Sequence, residues 1–463
     1  MMPCKVFREV RSMALAVTIV PFVQPGNVIA QQPAATTTST AAVTATAAAT
    51  TAARDTLRLG VLQAEAVSHD PRAKQFELLA SQSALRQRSL DAERLPTVGV
   101  NAQGQYQSDV VAIPFRLPGG ASAPLPPHEG YDAHLAARQL LYDPTRGARR
   151  DRDRAQLAES QARVRSSLYA LRQDVNDAYF TALLLQAQGE ELETAIANLE
   201  AQLRVALDRV RLGGALPSES ATLEAELLRQ RQSLAELGAE RDAALVVLGD
   251  LTGRTVTDSD ALALPDLSAE VARSRATLGE QRARPEYEQF ARSREVLERQ
   301  QQSVAAQDLP TVSAFGRAGY GRPGLNPLGN EFDEYWLAGV RVEWTPWSWG
   351  TTGREREELA LQRQIVATEE AAFTETIRRG VASDLAAVDR LDRTLVSDDT
   401  IIALREGILR ETRLRFGEGV ITSAEYVDRE TDLLASRLAR ATHRVELARA
   451  RARFLTFIGV EVR

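Results

Sequence analysis

Residues 95–106 read LPTVGVNAQGQY, and residues 309–320 read LPTVSAFGRAGY. In both stretches an apolar or aromatic side chain alternates with a small or polar one, which is the pattern of a β-strand with one apolar face. Two more pairs of similar segments follow in the same order, at a nearly constant separation of about 200 residues. These pairs are 135–144 with 337–346, and 209–213 with 413–417. The ordered matches predict an internal duplication.

Each half of the chain also contains one very long predicted helix. Residues 148–212 and residues 354–416 contain no proline, and at about 1.5 Å per residue either helix is a rod of about 95–98 Å. Apolar residues repeat at heptad spacing in 192–210 and in 434–455, so we expect the helices to pair as a coiled coil. The other predicted helical stretches are 57–94, 217–250, 270–308 and 422–458.

Four strand-like segments lie between the helical parts: 98–106, 131–142, 312–320 and 336–344. In the last of them, Trp336 and Trp344 stand at the two ends of an apolar stripe. Tryptophan at both ends of an apolar strand is typical of a lipid-facing strand, because the indole ring favours the interface between membrane and water. We therefore predict that both residues belong to a membrane girdle. Soluble β-hairpins remain the alternative interpretation.

The N-terminal segment has the features of a bacterial export signal, since a basic start precedes an apolar run over 13–23. We predict a signal peptide over 1–30 and a disordered Ala/Thr-rich segment over 31–54. The rest of the chain is predicted to fold as two structural repeats, each with a helix, two strands, a long helix and a further helix. The repeats are 55–264 and 265–463.

Composition and motifs argue against an enzyme. The formal charge is −6, so nucleic-acid binding is not expected. The single cysteine, Cys4, excludes a disulfide framework and a cysteine zinc site. His443 is expected on a polar helix surface, and the run RGARRDRDR over 146–154 is expected to be a solvated helix end. Because nucleophile-elbow, P-loop and dinucleotide motifs are also missing, we expect no enzyme activity, no cofactor and no metal site.

The number of strands points to an oligomer. Four strands cannot close a membrane barrel, which needs at least about eight, and unpaired strand edges are not tolerated in lipid. Several chains must therefore pool their strands, and a homotrimer would supply twelve. At this point the chain resembles the TolC-like outer-membrane efflux proteins, over about residues 55–460. The matching features are AVSHDP at 66–71, the two LPTV strand entries, the Arg-x-Arg-(Leu/Phe)-Gly turns, and GVITSAE at 419–425.

The resemblance implies an α+β membrane protein with an internal duplication. Each chain would contribute four strands to a trimeric twelve-stranded outer-membrane β-barrel, continued by a long periplasmic α-helical coiled-coil barrel. The implied function is the exit duct of a tripartite efflux pump or a type I secretion system, which conducts cargo passively out of the cell. The implied partners are further copies of the chain, a periplasmic adaptor (membrane fusion) protein, an inner-membrane transporter and outer-membrane lipid.

The alternative function is that of a periplasmic coiled-coil adaptor or structural protein. Such an adaptor would need lipoyl-like and small β-barrel domains on either side of one helical hairpin. This sequence instead predicts two hairpins that flank pairs of strands. An exported enzyme with a helical scaffold is a third interpretation, which the missing catalytic residues disfavour.

Two helix–turn–helix tips are predicted, and the resemblance implies that they receive the adaptor. Glycine is expected to supply the positive φ that ends the first helix of each hairpin. Bulky substitutions at Gly213 and Gly417 are expected to abolish export while trimers still assemble. Ser218 or Thr422 is expected to cap the second helix. The predicted tip residues are Leu212, Gly213, Gly214, Leu216, Pro217, Ser218, Phe416, Gly417, Glu418, Gly419, Val420, Ile421 and Thr422.

The resemblance also places a gate at the start of the last helix. Glu425 and Asp428 match carboxylates that ring the narrowest aperture in the family, and six of them in a trimer would make the pore cation-selective. As an alternative, they are ordinary acids of a first helical turn, where the helix dipole favours negative charge. Phe416 and Ile421 stand where the family has a tyrosine and an arginine that help to hold the gate shut. A different latch is therefore expected.

Overall fold

The computed structural model describes residues 56–110, 126–278, 283–326 and 329–462. The predicted signal peptide and the Ala/Thr-rich segment lie outside these described residues. Within the described ranges, no helix combines the length and the apolar character that crossing a membrane requires.

Two very long helices, one in each half, confirm the predicted rods to within a few residues. The first begins at Pro144, because Asp143 accepts a hydrogen bond from the N–H of Thr145 (2.9 Å) and proline fits the first helical position. With 68 and 67 residues, both helices reach about 100 Å at about 1.5 Å per residue. The helices are α1 (Leu59–His69), α2 (Gln75–Ala92), α3 (Pro144–Arg211), α4 (Pro217–Thr252), α5 (Ser268–Ala276), α6 (Pro285–Ala305), α7 (Thr351–Gly417) and α8 (Ser423–Ile458).

Two stretches predicted as continuous helices are interrupted. The stretch 57–94 is broken at Asp70, which precedes a proline and accepts a hydrogen bond from the N–H of Arg72 (2.8 Å). The stretch 270–308 is divided between α5 and α6, and α6 begins at Pro285. In both places a proline starts a new helix because it cannot donate the hydrogen bond that would continue the previous one.

The four predicted strands are confirmed as one antiparallel sheet in the order β1-β2-β3-β4. Because β2 belongs to the first repeat and β3 to the second, their pairing joins the two halves of the chain. A bulge between Leu140 and Tyr142 shifts the register near the helical end of that pair. The strands are β1 (Thr97–Tyr106), β2 (Glu129–Tyr142), β3 (Thr311–Arg322) and β4 (Asp333–Glu343).

The helices pack around two main apolar clusters. The larger one combines residues from α1, α3, α4 and α8, and its centre includes the fully buried Tyr179 and Phe454. The hydroxyl of Tyr179 donates to the backbone carbonyl of Leu57 (3.0 Å), which attaches the start of the described chain to α3. The second cluster lies near the ends of the two hairpins and contains Phe416 and Tyr426.

Two polar features differ from the sequence-based expectation. Asp153, within the run 146–154, is buried and accepts a hydrogen bond from Ser83 (2.9 Å), so that helix end packs on α2 and is not simply solvated. His443 lies 2.7 Å from Asp398 and bridges α8 to α7, so it is not a plain surface residue. Sequence periodicity does not reveal such pairs because the partners are distant along the chain.

Candidate functional site at the hairpin tips and on the sheet

The first tip joins α3 to α4 with a glycine in the left-handed region. Gly213 has φ +73°. The N–H of Gly214 donates to the carbonyl of Arg209 (2.8 Å), and the N–H of Gly213 donates to that of Val210 (3.0 Å). This pair of hydrogen bonds is a Schellman motif, which requires a residue that tolerates positive φ at the position of Gly213.

The second tip uses the same motif, with Gly419 in the place of Gly213. The N–H of Gly419 donates to Phe416 (3.0 Å), and the N–H of Val420 donates to Arg415 (2.9 Å). Gly419 has φ +74°, whereas Gly417 is the last helical residue of α7. A glycine therefore supplies the positive φ at this tip as expected, but it is Gly419 and not the Gly417 of the repeated motif, because α7 ends two residues further along that motif than α3 does.

One of the two predicted helix caps is confirmed. Thr422 precedes α8 and its side-chain hydroxyl accepts a hydrogen bond from the N–H of Glu425 (3.3 Å). Ser218 does not cap α4, since Leu216 occupies the cap position and Pro217 is the first helical residue. Proline at that position removes one N–H that would otherwise need a partner, so α4 starts without a side-chain cap.

Alanine substitutions at the two glycines of the second tip should act in opposite directions. Gly419→Ala should destabilise the tip by about 1–2 kcal/mol, because a left-handed conformation disfavours a Cβ, and that Cβ would lie 2.7 Å from the guanidinium of Arg209. Gly417→Ala should stabilise α7 by up to about 1 kcal/mol, since its Cβ would meet nothing within 4 Å.

Hydrogen–deuterium exchange of the amides in 414–426 measures this difference. We expect faster exchange in Gly419→Ala and slower or unchanged exchange in Gly417→Ala. Equal acceleration in both variants would contradict the assignment of the left-handed residue.

The two tips are tied together by Arg209, which the sequence marked as part of a repeated motif but not as a contact between the hairpins. Arg209, from the last turn of α3, donates to the backbone carbonyl of Phe416 (2.7 Å). The same guanidinium lies 5.7 Å from the centre of the Phe416 ring. A charged donor to a helix-terminal carbonyl is a comparatively strong hydrogen bond. Arg209 therefore couples the first hairpin to the end of α7.

Behind this contact lies a buried aromatic and acidic group. Phe416 and Tyr426 are fully buried and stack with their ring centres 5.3 Å apart. The Tyr426 hydroxyl donates to Glu430 (3.2 Å), which is also buried. Burial raises the pKa of Tyr426 to about 12 and also raises the pKa of Glu430, although Arg413 and Arg437 oppose the latter rise. Phe416, Tyr426 and Glu430 are therefore packed inside the hairpin pair.

The predicted gate acids lie on the outside of the same region. Glu425 is in the first turn of α8, Asp428 follows three residues later, and both are exposed. Because the backbone N–H of Glu425 bonds to Thr422, Glu425 occupies the third position of a capping sequence. A single chain brings two of the six carboxylates that a trimer would supply. An aperture ringed by carboxylates therefore remains a prediction.

The tip residues divide into an exposed and a buried set. Leu212, Leu216 and Val420 expose 81%, 67% and 69% of their surface at the ends of the hairpins. Phe416 is buried, and Ile421 packs against the second apolar cluster. The exposed set is the part of the predicted docking surface that another protein is able to reach in this chain.

The sheet has one apolar face, which runs in register across all four strands. One cross-strand row contains Val100, Leu135, Ala318 and Trp336. Along β2 the apolar residues are the exposed ones: Tyr131 and Leu135 are 47% and 51% exposed, whereas the side chain of His134 between them is 16% exposed. Soluble sheets cover their apolar face instead.

Aromatic side chains mark both ends of this apolar face. Trp336 lies in β4, and Trp344 lies one residue beyond its end, with its indole N–H donating to the carbonyl of Asp308 (3.0 Å). The two tryptophans are eight residues apart, or about 27 Å along a strand. Sequence reasoning missed Trp347 and Trp349, which are exposed and lie beside Trp344 in the chain. The aromatic residues at the loop end are Tyr106, Tyr131, Tyr320, Phe332 and Trp336, and those at the helical end are Tyr142, Trp344, Trp347 and Trp349.

The opposite face of the sheet is polar and was not predicted as a site. Near its loop end, His134 lies 2.6 Å from Asp132, which also accepts a hydrogen bond from the hydroxyl of Tyr335. Arg317 lies over the Tyr335 ring at 6.0 Å. Alternation within each strand predicts a polar face. Which polar side chains of different strands lie close together depends on the cross-strand register, which the sequence does not show. Among the described residues, no group of three or more His, Cys, Asp or Glu side chains is placed to hold a metal ion.

Comparisons with known proteins identify the fold. No protein-family model matches the chain, and a search of the curated proteins gives no match. Among solved structures, the chain is similar to the outer-membrane protein VceC from Vibrio cholerae, with 15% identity and a TM-score of 0.61 over 87% of this chain and 96% of that chain. It is also similar to the MtrE outer-membrane channel of Neisseria gonorrhoeae, with 19% identity and a TM-score of 0.60 over 87% and 89%.

A third similar structure is the CmeC outer-membrane channel of Campylobacter jejuni, with 13% identity and a TM-score of 0.60 over 87% and 85% of the two chains. At these identities the likeness shows the fold. The chain has the fold of the TolC-like outer-membrane channels, with long helices and four strands per chain, which confirms the predicted fold class.

Proposed function

We propose that the chain is an outer-membrane channel of the TolC-like family. A homotrimer would form a twelve-stranded barrel in the outer membrane, and the long helices would extend from it through the periplasm. The observation that carries this proposal is the exposed apolar face, which is continuous over four strands and ends in aromatic residues on both sides. Such a face matches the lipid-facing surface of an outer-membrane barrel.

The edges of the sheet support assembly with further copies. β1 and β4 are the outer strands, and each has one unpaired edge. Unpaired backbone groups in lipid cost several kcal/mol each, so β1 of one chain would pair with β4 of the next until the barrel closes. Exposed apolar residues on α7, including Leu361, Ile365, Leu404 and Ile408, would pack against a neighbouring chain in the same assembly.

The proposed role is a passive exit duct for an export system. The exposed tip residues Leu212, Leu216 and Val420 would receive a periplasmic adaptor protein, which would link the duct to an inner-membrane transporter. Tripartite efflux and type I secretion use the same duct architecture. The role of a periplasmic coiled-coil adaptor is less well supported, because a soluble protein would have to leave the apolar face of the sheet in water.

The purified protein in planar lipid bilayers tests this function. A channel should give discrete current steps at constant voltage, whereas an adaptor should give none. Bilayers that stay silent after insertion of folded trimer would contradict the proposal.

The paired substitution Glu425→Gln with Asp428→Asn should weaken block of the channel by trivalent cations and reduce its cation selectivity. Neutralising two carboxylates per chain removes six from the aperture of a trimer, and rings of carboxylates attract cations. We expect the half-blocking concentration of a trivalent lanthanide to rise by about tenfold or more, since each close charge pair contributes on the order of 1 kcal/mol. Glutamine retains the capping arrangement at Glu425, so α8 should remain folded.

Glu219→Gln provides the matched control, because Glu219 lies in the first turn of α4, the equivalent helix of the other hairpin. Its substitution should leave block and selectivity unchanged. Unchanged block in the double variant would remove Glu425 and Asp428 from the gate.

A further inference from the structure

The polar face of the sheet carries three arginines in consecutive cross-strand rows. Arg317 lies in the row with Ala136, Arg138 shares the next row with Phe315, and Arg341 follows in the row of Ser313. All three are exposed. In the channel proposed above, this face lines the interior of the barrel, because the apolar face is turned to lipid.

The carboxylates of this face lie mainly above and below the arginines. Asp132 and Asp333 occupy the row nearest the loops, and Glu343 lies at the helical end. Asp132 is already engaged by His134 and Tyr335. Glu343 lies 3.5 Å from Arg138 and 3.8 Å from Arg341, so one carboxylate is shared between two guanidinium groups. The middle of the face therefore has an excess of positive charge in each chain.

Apolar surface lies beside these charges. The guanidinium of Arg341 lies 5.0 Å from the centre of the Phe315 ring, and the ring covers Gly339, where an added Cβ would lie 2.8 Å from it. Leu337, in the row of Arg317, is half-buried. A groove of about 630 Å³ is lined by Phe315, Leu337 and the three arginines together with His134.

We propose that this groove is a binding site for amphiphilic organic anions, which pass through the barrel or dock in it. A guanidinium that stacks on an aromatic ring keeps its N–H edge available for a carboxylate, sulfonate or phosphate. Phe315 and Leu337 would contact the apolar part of the same ligand. Three copies around a barrel form a belt of positive charge that attracts organic anions locally, whereas the carboxylates predicted at the tips set the selectivity of the channel for small ions. The inference rests on the proposed channel function and specifies a ligand class for it.

Block of single-channel current by 2-naphthalenesulfonate tests the inference on the full-length protein in planar bilayers. We expect the sulfonate to reduce the current. Naphthylmethylammonium is a cation with the same ring system, and we expect it to cause no block that depends on the arginines of this groove. In the triple variant Arg138→Gln, Arg317→Gln and Arg341→Gln, the half-blocking sulfonate concentration should rise by about tenfold or more.

Two further variants make the test specific. The triple lysine variant, Arg138→Lys with Arg317→Lys and Arg341→Lys, retains the charge and should retain most of the block even if the glutamine variant assembles poorly. Arg322→Gln changes an arginine whose register position is on the apolar face, where it bonds to Asn330 (2.7 Å), and should leave block unchanged.

The outcomes separate this inference from the proposed function. Channels that conduct but are not blocked by the sulfonate would overturn the anion site and leave the channel in place. Equal block of wild type and the glutamine variant would also overturn it, because the blocker would then bind elsewhere. Absence of any channel current would instead overturn the proposed function.

Discussion

A Val100→Arg variant should fail to accumulate in the outer membrane, whereas an Asn101→Arg variant should accumulate normally. The two residues are neighbours in the middle of β1 and both are exposed in the single chain. Val100 belongs to the apolar face opposite Leu135, and Asn101 belongs to the polar face opposite His134. Arginine on the lipid side of a barrel costs about 1 kcal/mol near the membrane interface and about 2–4 kcal/mol at the midplane, and a trimer incurs this cost three times.

Quantitative detection of the two variants in outer-membrane fractions measures the effect. We expect the Val100→Arg protein to fall by about tenfold or more, since each 1.4 kcal/mol corresponds to about tenfold. The Asn101→Arg protein acts as the matched control, because it adds the same side chain at the same depth on the other face. Equal accumulation of the two variants would contradict a lipid-facing role for the apolar face.

The second large effect is expected at the contact between the hairpins. Arg209→Gln removes the charged hydrogen bond to Phe416 and the guanidinium that lies over its ring. A hydrogen bond of this type contributes about 2 kcal/mol, so release of α7 from α3 should become about 30-fold more favourable in each chain. Because the gate acids follow the tip of α7, we expect the variant channel to open far more often in single-channel recordings.

Arg211→Gln is the control for this prediction. Arg211 lies in the same turn of α3, but its side chain is 77% exposed and pairs with Asp208, three residues earlier in the same helix (2.7 Å). The open probability of Arg211→Gln should equal that of the wild type. If Arg209→Gln also leaves it unchanged, Arg209 is a packing residue and not a latch.

The regular elements were predictable because their periodicity is strong. Alternation in LPTVSAFGRAGY gave β3, and proline-free stretches gave α3 and α7 to within a few residues. The duplication also predicted that the second half would repeat the elements of the first. The breaks at Asp70 and before Pro285 coincide with prolines in the sequence. The residues on both sides of each proline have a helical composition, so each stretch was predicted as one helix.

The details of the tips were less predictable because they depend on where a helix ends. The repeated motif aligned Gly213 with Gly417, whereas the structure aligns Gly213 with Gly419. Equivalent arginines also diverge between the repeats. Arg209 crosses to the other hairpin, while Arg413 interacts with Tyr426 and Glu430 of its own hairpin. One sequence motif therefore has two roles, and only tertiary contacts distinguish them.

The polar face of the sheet shows a similar limit. Each strand pattern indicated a small or polar face, but Arg138, Arg317 and Arg341 come from three different strands. Their proximity depends on the register between β2, β3 and β4, which is constant over the rows of the three arginines. A sequence separation of about 180–200 residues between Arg138 and the other two arginines hides such a cluster from motif searches.

The trimeric outer-membrane channel is tested most directly by electrophoresis of outer membranes with and without prior heating. We expect the wild-type protein in the outer-membrane fraction, migrating with the mass of three chains before heating and with the mass of one chain after heating. A monomer in the soluble periplasmic fraction, with the same mobility before and after heating, would contradict it.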